Sequence, residues 1–367
     1  MRVAAKNLCR LVGAAAAIIL SAAALTYVVD PVQLFRPARS FAAMYSADTR
    51  MQDAGLIRSQ PFDTVFMGTS LAIHYRQSDI DKALNVHSLK LSITGSTSKE
   101  QSFVLAAALE RHPKRVIWQM DDWIFRDAPE VDAEAHFPAD LYRRNARGIA
   151  GYLFSGAMAR ESLWILARSI SPLQPAVASL TSDVLFKFPI SDVDDINALP
   201  PRFDVAGAYN AKRALSAFKR ITDPVRSSYL ADGYDYTAMV KAFERDAIGL
   251  IEKHPDVTFE IYFPPYSILQ FAAMRDAAPA TLKTVYDFTA YAFPRLVKLA
   301  NVRLHDFRSL KAITHNLDNY GDVIHHSPTV DLKILSDLAE RKCAVDPAAP
   351  LASLEQLKAQ VDAYRLR

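Results

Sequence analysis

Disulfides cannot hold this chain together, because it has two cysteines in 367 residues and one of them, Cys9, lies in a membrane-proximal leader. A cysteine-rich metal site is excluded with them, and Cys343, alone in the body, is a poor thiol nucleophile. Acidic residues are missing from the first ten positions, which hold Arg2, Lys6 and Arg10. No flexible Gly/Ser linker, internal repeat or HExxH helix occurs, and the only low-complexity tract is the alanine-rich leader. The chain also lacks net charge beyond that leader, where 40 acidic residues face the rest of its 43 basic ones, so no polyanion or nucleic-acid partner is implied.

What is present is the composition of a folded protein, half hydrophobic and 23% charged. After the basic flank, "LVGAAAAIILSAAALTYVV" runs uncharged from Leu11 to Val29, long enough to cross a bilayer as a helix. Residues 1–30 are therefore expected to form a cytoplasmic basic flank and a transmembrane signal-anchor, with the rest exported. The expected location is the inner membrane, single-pass, with the C-terminal body in the periplasm or extracellular space. A cleaved signal peptide is the alternative, since "SAAAL" at 21–25 offers small residues for a peptidase.

In the body, short apolar β-rich runs alternate with amphipathic stretches. The strand candidates are 63–67, 86–91, 115–120, 257–263 and 302–307, mostly apolar throughout, as expected for parallel strands buried on both faces. Helices are expected at 98–112, 236–254, 279–300 and 329–341, two of them closed by "ERHP" and "EKHP". The pattern predicts an α/β class with a five-stranded, parallel, doubly wound sheet spanning 31–345. A helical insertion at about 127–235 separates the third and fourth strands, and a helical tail follows at 346–367. A separate domain at 127–235 is the weaker alternative.

Two segments carry chemistry. In "FDTVFMGTSLAIHYR", a buried strand runs through Gly68 into Thr69 and Ser70, where a helix is expected to begin. Taken alone, Ser70 reads as a helix N-cap. In "LDNYGDVIHHSPTVDLKIL", Asp322 and His325 stand three apart just after the fifth strand. A histidine held at Nδ1 by a carboxylate can take a hydroxyl proton at Nε2, and both segments belong at the carboxyl edge of the sheet.

"FMGTS" and "DVIHHSP" resemble the first and last blocks of the SGNH (GDSL-like) hydrolase superfamily. The likeness is to its membrane-anchored branch, related to the D-alanyl transfer protein of teichoic acid synthesis and to exopolysaccharide acetylation proteins. "LKLSITGSTSKEQ", "VIWQMDDWIF", "FEIYFPPYSIL" and "LHDFRSLKAITHNLDNY" extend the resemblance over most of 60–340. It implies Ser70 as nucleophile, His325 as base and Asp322 as its orienting acid. It also implies an oxyanion hole built from the N–H groups of Ser70 and Gly95, with Thr69 and Asp121 among the oxyanion or substrate-binding positions. Each such donor is worth roughly 3–4 kcal/mol. The family pattern has an asparagine where this chain has Asp121. A carboxylate about 4 Å from an oxyanion costs on the order of 4 kcal/mol at an effective dielectric near 20, so Asp121 is expected to be protonated, turned away or otherwise employed.

Other residues have plainer expectations. His326 is expected in packing or substrate contact, and His74 and Arg76 at the pocket mouth or on a solvated helix face. Glu100 suits the first turn of its helix, and Trp118, Trp123 and "FPPYS" suit the core better than a sugar platform. "MGTSLA" has too few hydroxyls for a flavin phosphate loop. No metal is expected from His305, Asp306, Asp322 and His325, and no cofactor. The expected function is an exported serine acyl esterase or acyltransferase acting on a cell-envelope glycan, with an acyl-donor substrate and polysaccharide-modification membrane proteins as partners. The competing expectations are a catalytically silent binding or assembly module of a polysaccharide machine and a structural membrane-tethered docking partner.

Overall fold

The computed structural model describes residues 2–41, 45, 49–126, 137–143, 145–170, 194, 207–224 and 228–366. The rest of the expected insertion at 127–235 lies outside the described residues. By backbone packing the chain divides into two units, residues 1–60 with 137–198, and residues 61–136 with 199–367.

In the first unit, α1 (Arg2–Val29) is continuous over 28 residues, so it takes in the basic flank as well as the apolar run. Its length is about 42 Å at 1.5 Å per residue, more than a hydrocarbon core of about 30 Å. It is long and apolar enough to cross a membrane, a character that a signal sequence shares. Most of it is exposed, but Ala23, Thr26 and Val29 are buried where it meets α5 (Ala146–Leu153) and α6 (Gly156–Ser169). Asp30 follows in the left-handed region, φ 52°. Its carboxylate accepts the N–H groups of Leu34, Phe35 and Arg36 at 2.9, 2.8 and 3.1 Å and the Tyr152 hydroxyl at 3.0 Å. Also in this unit is α2 (Gln52–Ser59).

The second unit is α/β. Its sheet joins β1 (Thr64–Gly68), β2 (Ser88–Ser92), β3 (Arg115–Gln119), β4 (Thr258–Phe263) and β5 (Val302–Asp306) in the order β2-β1-β3-β4-β5, every pair parallel. Each strand stands within two residues of its predicted span. β1 is buried at all five positions, so its near-continuous apolar sequence reflects cover on both faces. On one face Phe66, Ile117 and Tyr262 pack with Ile80 of α3 (Gln77–Leu84) and with Val330, Ile334, Leu335 and Leu338 of α11 (Pro328–Ala339). From a neighbouring register Trp118 donates its indole N–H to Gln101 of α4 (Ser98–Leu109) at 2.7 Å.

The described part of the insertion within this unit includes α7 (Ala211–Ile221), and where a helix was expected at 236–254, α8 (Tyr236–Phe243) continues through a π turn to Glu252. A second core gathers α7 with α9 (Ile268–Ala277), α10 (Pro279–Leu296) and α12 (Ala352–Ala363) around Tyr266 and Tyr320. That core holds Ala214, Ala217 and Phe218 of α7 against Val323, two residues before His325.

Candidate active site

Ser70 sits two residues past β1, but the helix expected there is only a three-residue 3-10 turn, Ser70–Ala72. Thr69 occupies the cap position without a side-chain cap bond, which leaves the Ser70 hydroxyl out of helix capping. Instead Ser70 Oγ lies 3.0 Å from His325 Nε2. Gly68 cannot be larger, since a Cβ there would stand 2.5 Å from both Ala72 Cβ and Gln119 Oε1.

The segment carrying His325 is tied down at several points. Tyr320 bridges to His326, Gly321 N–H donates to the His325 carbonyl at 2.9 Å, and Ser267 N–H donates to that of Val323 at 3.1 Å. The Tyr320 hydroxyl, buried, reaches the Pro265 carbonyl at 2.6 Å. Within this frame Asp322 Oδ1 accepts the N–H groups of Ile324 and His325, both at 2.8 Å, and Oδ2 lies 2.7 Å from His325 Nδ1. Burial raises the Asp322 carboxyl, but the His325 ring and the two backbone donors outweigh it and hold it at about 2. An ionised Asp322 keeps the proton on Nδ1 and leaves Nε2 as the acceptor facing Ser70.

The turn bearing Gly95 is brought alongside by the sheet itself, because Ile93 N–H extends the ladder to the Gly68 carbonyl at 2.9 Å. Ser96 N–H closes that turn on the Ile93 carbonyl at 3.1 Å, and Gly95 takes φ +66°, a conformation that other residues rarely adopt. Neither Ser70 N–H nor Gly95 N–H donates to a backbone carbonyl among the described residues. Thr69 is buried and its hydroxyl accepts from Gln119 Nε2 at 3.3 Å.

Asp121 has another occupation. It is buried and caps the 3-10 turn Asp122–Phe125, accepting Ile124 N–H at 3.2 Å, while Gln119 Nε2 lies 3.5 Å from its other oxygen. Burial, reinforced by the neighbouring Asp122 carboxylate, raises Asp121 to about 7 against the opposing bonds from Tyr266, Ile124 and Trp123.

His74 differs from both expectations for it. It is buried, 2% exposed, in a polar cluster with Asp331 and His326, whose Nδ1 lies 3.0 Å from Asp331 Oδ1. Burial, with His326, His325 and Lys90 nearby, lowers His74 to about 3 and keeps it neutral. Arg76 is exposed. Glu100 is the third residue of a capping box with Thr97, and Trp118 is core. His305 and Asp306 do not join Asp322 and His325: His305 faces Glu260 and the Lys342 carbonyl, and Asp306 holds Arg308. Among the described residues no group of three metal-ligating side chains occurs.

Two clefts meet at Asp322 and His325. One, of about 360 Å³, is walled chiefly by Trp123, Ile221, Tyr234, Tyr266 and Val323. The other, of about 460 Å³, is walled by Arg213, Ser216, Ala217, Arg220 and Gly321. The contribution of α7 has no motif to announce it, and only its strong amphipathicity was available to sequence reasoning. No protein-family model matches this chain, and no curated protein is detectably similar to it.

Proposed function

We propose that this chain is a membrane-anchored serine acyl esterase or acyltransferase acting on a cell-envelope polysaccharide. The observation that carries the reading is the relay from Ser70 Oγ through His325 to Asp322, with contacts of 3.0 and 2.7 Å. Strand order β2-β1-β3-β4-β5, with the serine at the carboxyl end of β1, supports a doubly wound sheet of SGNH type.

Ser70 Oγ attacks the ester carbonyl as its proton passes to His325 Nε2, and the oxyanion so formed takes the Ser70 and Gly95 N–H groups. Collapse breaks the ester bond, and the leaving alkoxide takes the proton from Nε2. Water or a second sugar hydroxyl then gives its proton to Nε2 and attacks the acyl-serine, and the second collapse breaks the bond to Ser70 Oγ as that oxygen takes the proton back from Nε2. On this reading the site works outside the inner membrane, with activated acyl groups supplied by polysaccharide-modification membrane proteins, and an N-terminal helix long and apolar enough to cross a membrane supports it.

The test is fluorophosphonate labelling of the full chain in detergent, read by intact mass. One adduct is expected, absent from Ser70→Ala and His325→Ala. Asp322→Asn keeps an acceptor for the Ile324 and His325 N–H groups but favours the wrong tautomer, and labelling is expected to slow by roughly 10⁴-fold. A folded parent that takes no label overturns the reading in favour of a silent binding module.

A further inference from the structure

Helix α7 reads "AKRALSAFKRI" and carries Lys212, Arg213, Lys219 and Arg220 with no acidic residue. In a body with balanced charge this is a local excess, and its placement is specific. Arg213, Ser216 and Arg220 lie at i, i+3 and i+7 on one stripe and wall the cleft that His325 and Asp322 also line. Arg220 borders the second cleft as well. Both arginines are exposed, and neither guanidinium has a carboxylate partner among the described residues.

Helix physics favours Lys219 and Arg220, which stand in the last turn, but not the pair at the other end. Cations in a first turn oppose the macrodipole, at about 0.3–1 kcal/mol each, yet Lys212 and Arg213 stand there. The helix is also fixed relative to the histidine. Asn210 N–H donates to the Tyr320 carbonyl at 3.1 Å, Ala211 N–H donates to Asp318 Oδ1 at 2.9 Å, and Asn210 caps Arg213 N–H at 3.0 Å. The two guanidinium stems stand about 10 Å apart along the axis at 1.5 Å per residue.

Resting on the acyl-transfer reading of the same site, we propose that Arg213 and Arg220 bind oxyanion substituents, carboxylate or phosphate, on the sugar chain whose hydroxyl or ester reaches His325. Guanidinium is suited to this because its planar fork meets either oxyanion with two parallel hydrogen bonds. A neutral whole-chain charge does not conflict with it. Recognition acts over a Debye length of about 8 Å at physiological salt, and on that scale the cleft wall sets two guanidinium groups against the single Asp322 carboxylate, which His325 already engages.

The test measures binding to the full-length Ser70→Ala chain in detergent by calorimetry, using maltohexaose, hexagalacturonate and phosphorylated maltohexaose at low and physiological salt. At least tenfold tighter binding of one or both anionic chains is expected, and which of them binds tighter identifies the oxyanion. Arg213→Ala with Arg220→Ala is expected to erase the preference. Lys212→Ala with Lys219→Ala, which removes the same charge roughly 100° around the helix, is expected to keep it. Equal affinity for the neutral chain, a preference that survives the arginine changes, or equal loss in the lysine pair overturns the proposal. If Ser70 takes no fluorophosphonate while the arginine-dependent preference holds, the catalytic reading falls and the anion site stands. Labelling without an anion preference gives the reverse.

Discussion

At the scale of single residues, Asp121 shows how a position read from a motif acquires a different task in space. Its carboxyl caps a turn in a buried setting and is raised to about 7, first by burial and then by Asp122. A carboxyl whose folded value lies above its unfolded value binds its proton more tightly when folded. Its contribution is therefore fully present at low pH and is lost as pH rises from about 4 through about 7. At about 1.4 kcal/mol per unit the loss is on the order of a few kcal/mol. Asp121→Asn keeps the acceptor for Ile124 N–H and removes the charge. Its melting temperature is expected to exceed the parent's at pH 8, with the gap closing toward pH 4; a gap that widens on acidification refutes this account. Ser70, Asp322 and His325 were legible because strand-turn placement and a three-residue spacing both constrain chemistry locally. Arg213 and Arg220 were not, because two arginines on a helix become a site only when tertiary packing decides which face is covered.

At the scale of elements, the strands were easiest to read and the segment after Ser70 the hardest. All five positions from Leu71 to Tyr75 are buried, so no solvated face remains for an ordinary surface helix. Lys90 of β2 meanwhile donates its ammonium to the Ile73 and Tyr75 carbonyls, which a continuing helix would have used internally. A partner in another strand thus stops the helix, and no local pattern reports it. The start of α4 is the opposite case. Thr97 accepts Glu100 N–H at 3.3 Å and Glu100 accepts Thr97 N–H at 2.9 Å, a capping box written in the sequence as Thr-x-x-Glu. Thr97→Ala is expected to cost about 1 kcal/mol, read as a lower denaturant midpoint at unchanged slope. An unchanged midpoint removes the cap from the account.

At the scale of the whole molecule, the N-terminal helix is long and apolar enough to cross a membrane, a character that a signal sequence shares. Cleavage within 21–25 would detach α1 from its last turn, where Thr26 and Val29 are buried against α5 and α6. We expect the mature chain to keep its N-terminus by intact mass and to resist carbonate extraction from membranes while yielding to detergent. A mature chain beginning near residue 25 overturns the anchor. The sequence by itself determined the apolar helix, the α/β alternation and the five strands, because these depend on runs and periods that neighbouring residues set. It also placed Ser70 just past β1 and Asp322 with His325 in the segment between β5 and α11, since topology sends the carboxyl ends of the strands to one edge. Tertiary structure alone decided the 3.0 Å approach of Ser70 to His325, the burial of His74, the capping role of Asp121 and the basic wall of α7. Each of these depends on which distant segments exclude water from a side chain, and that is a property of packing rather than of order along the chain.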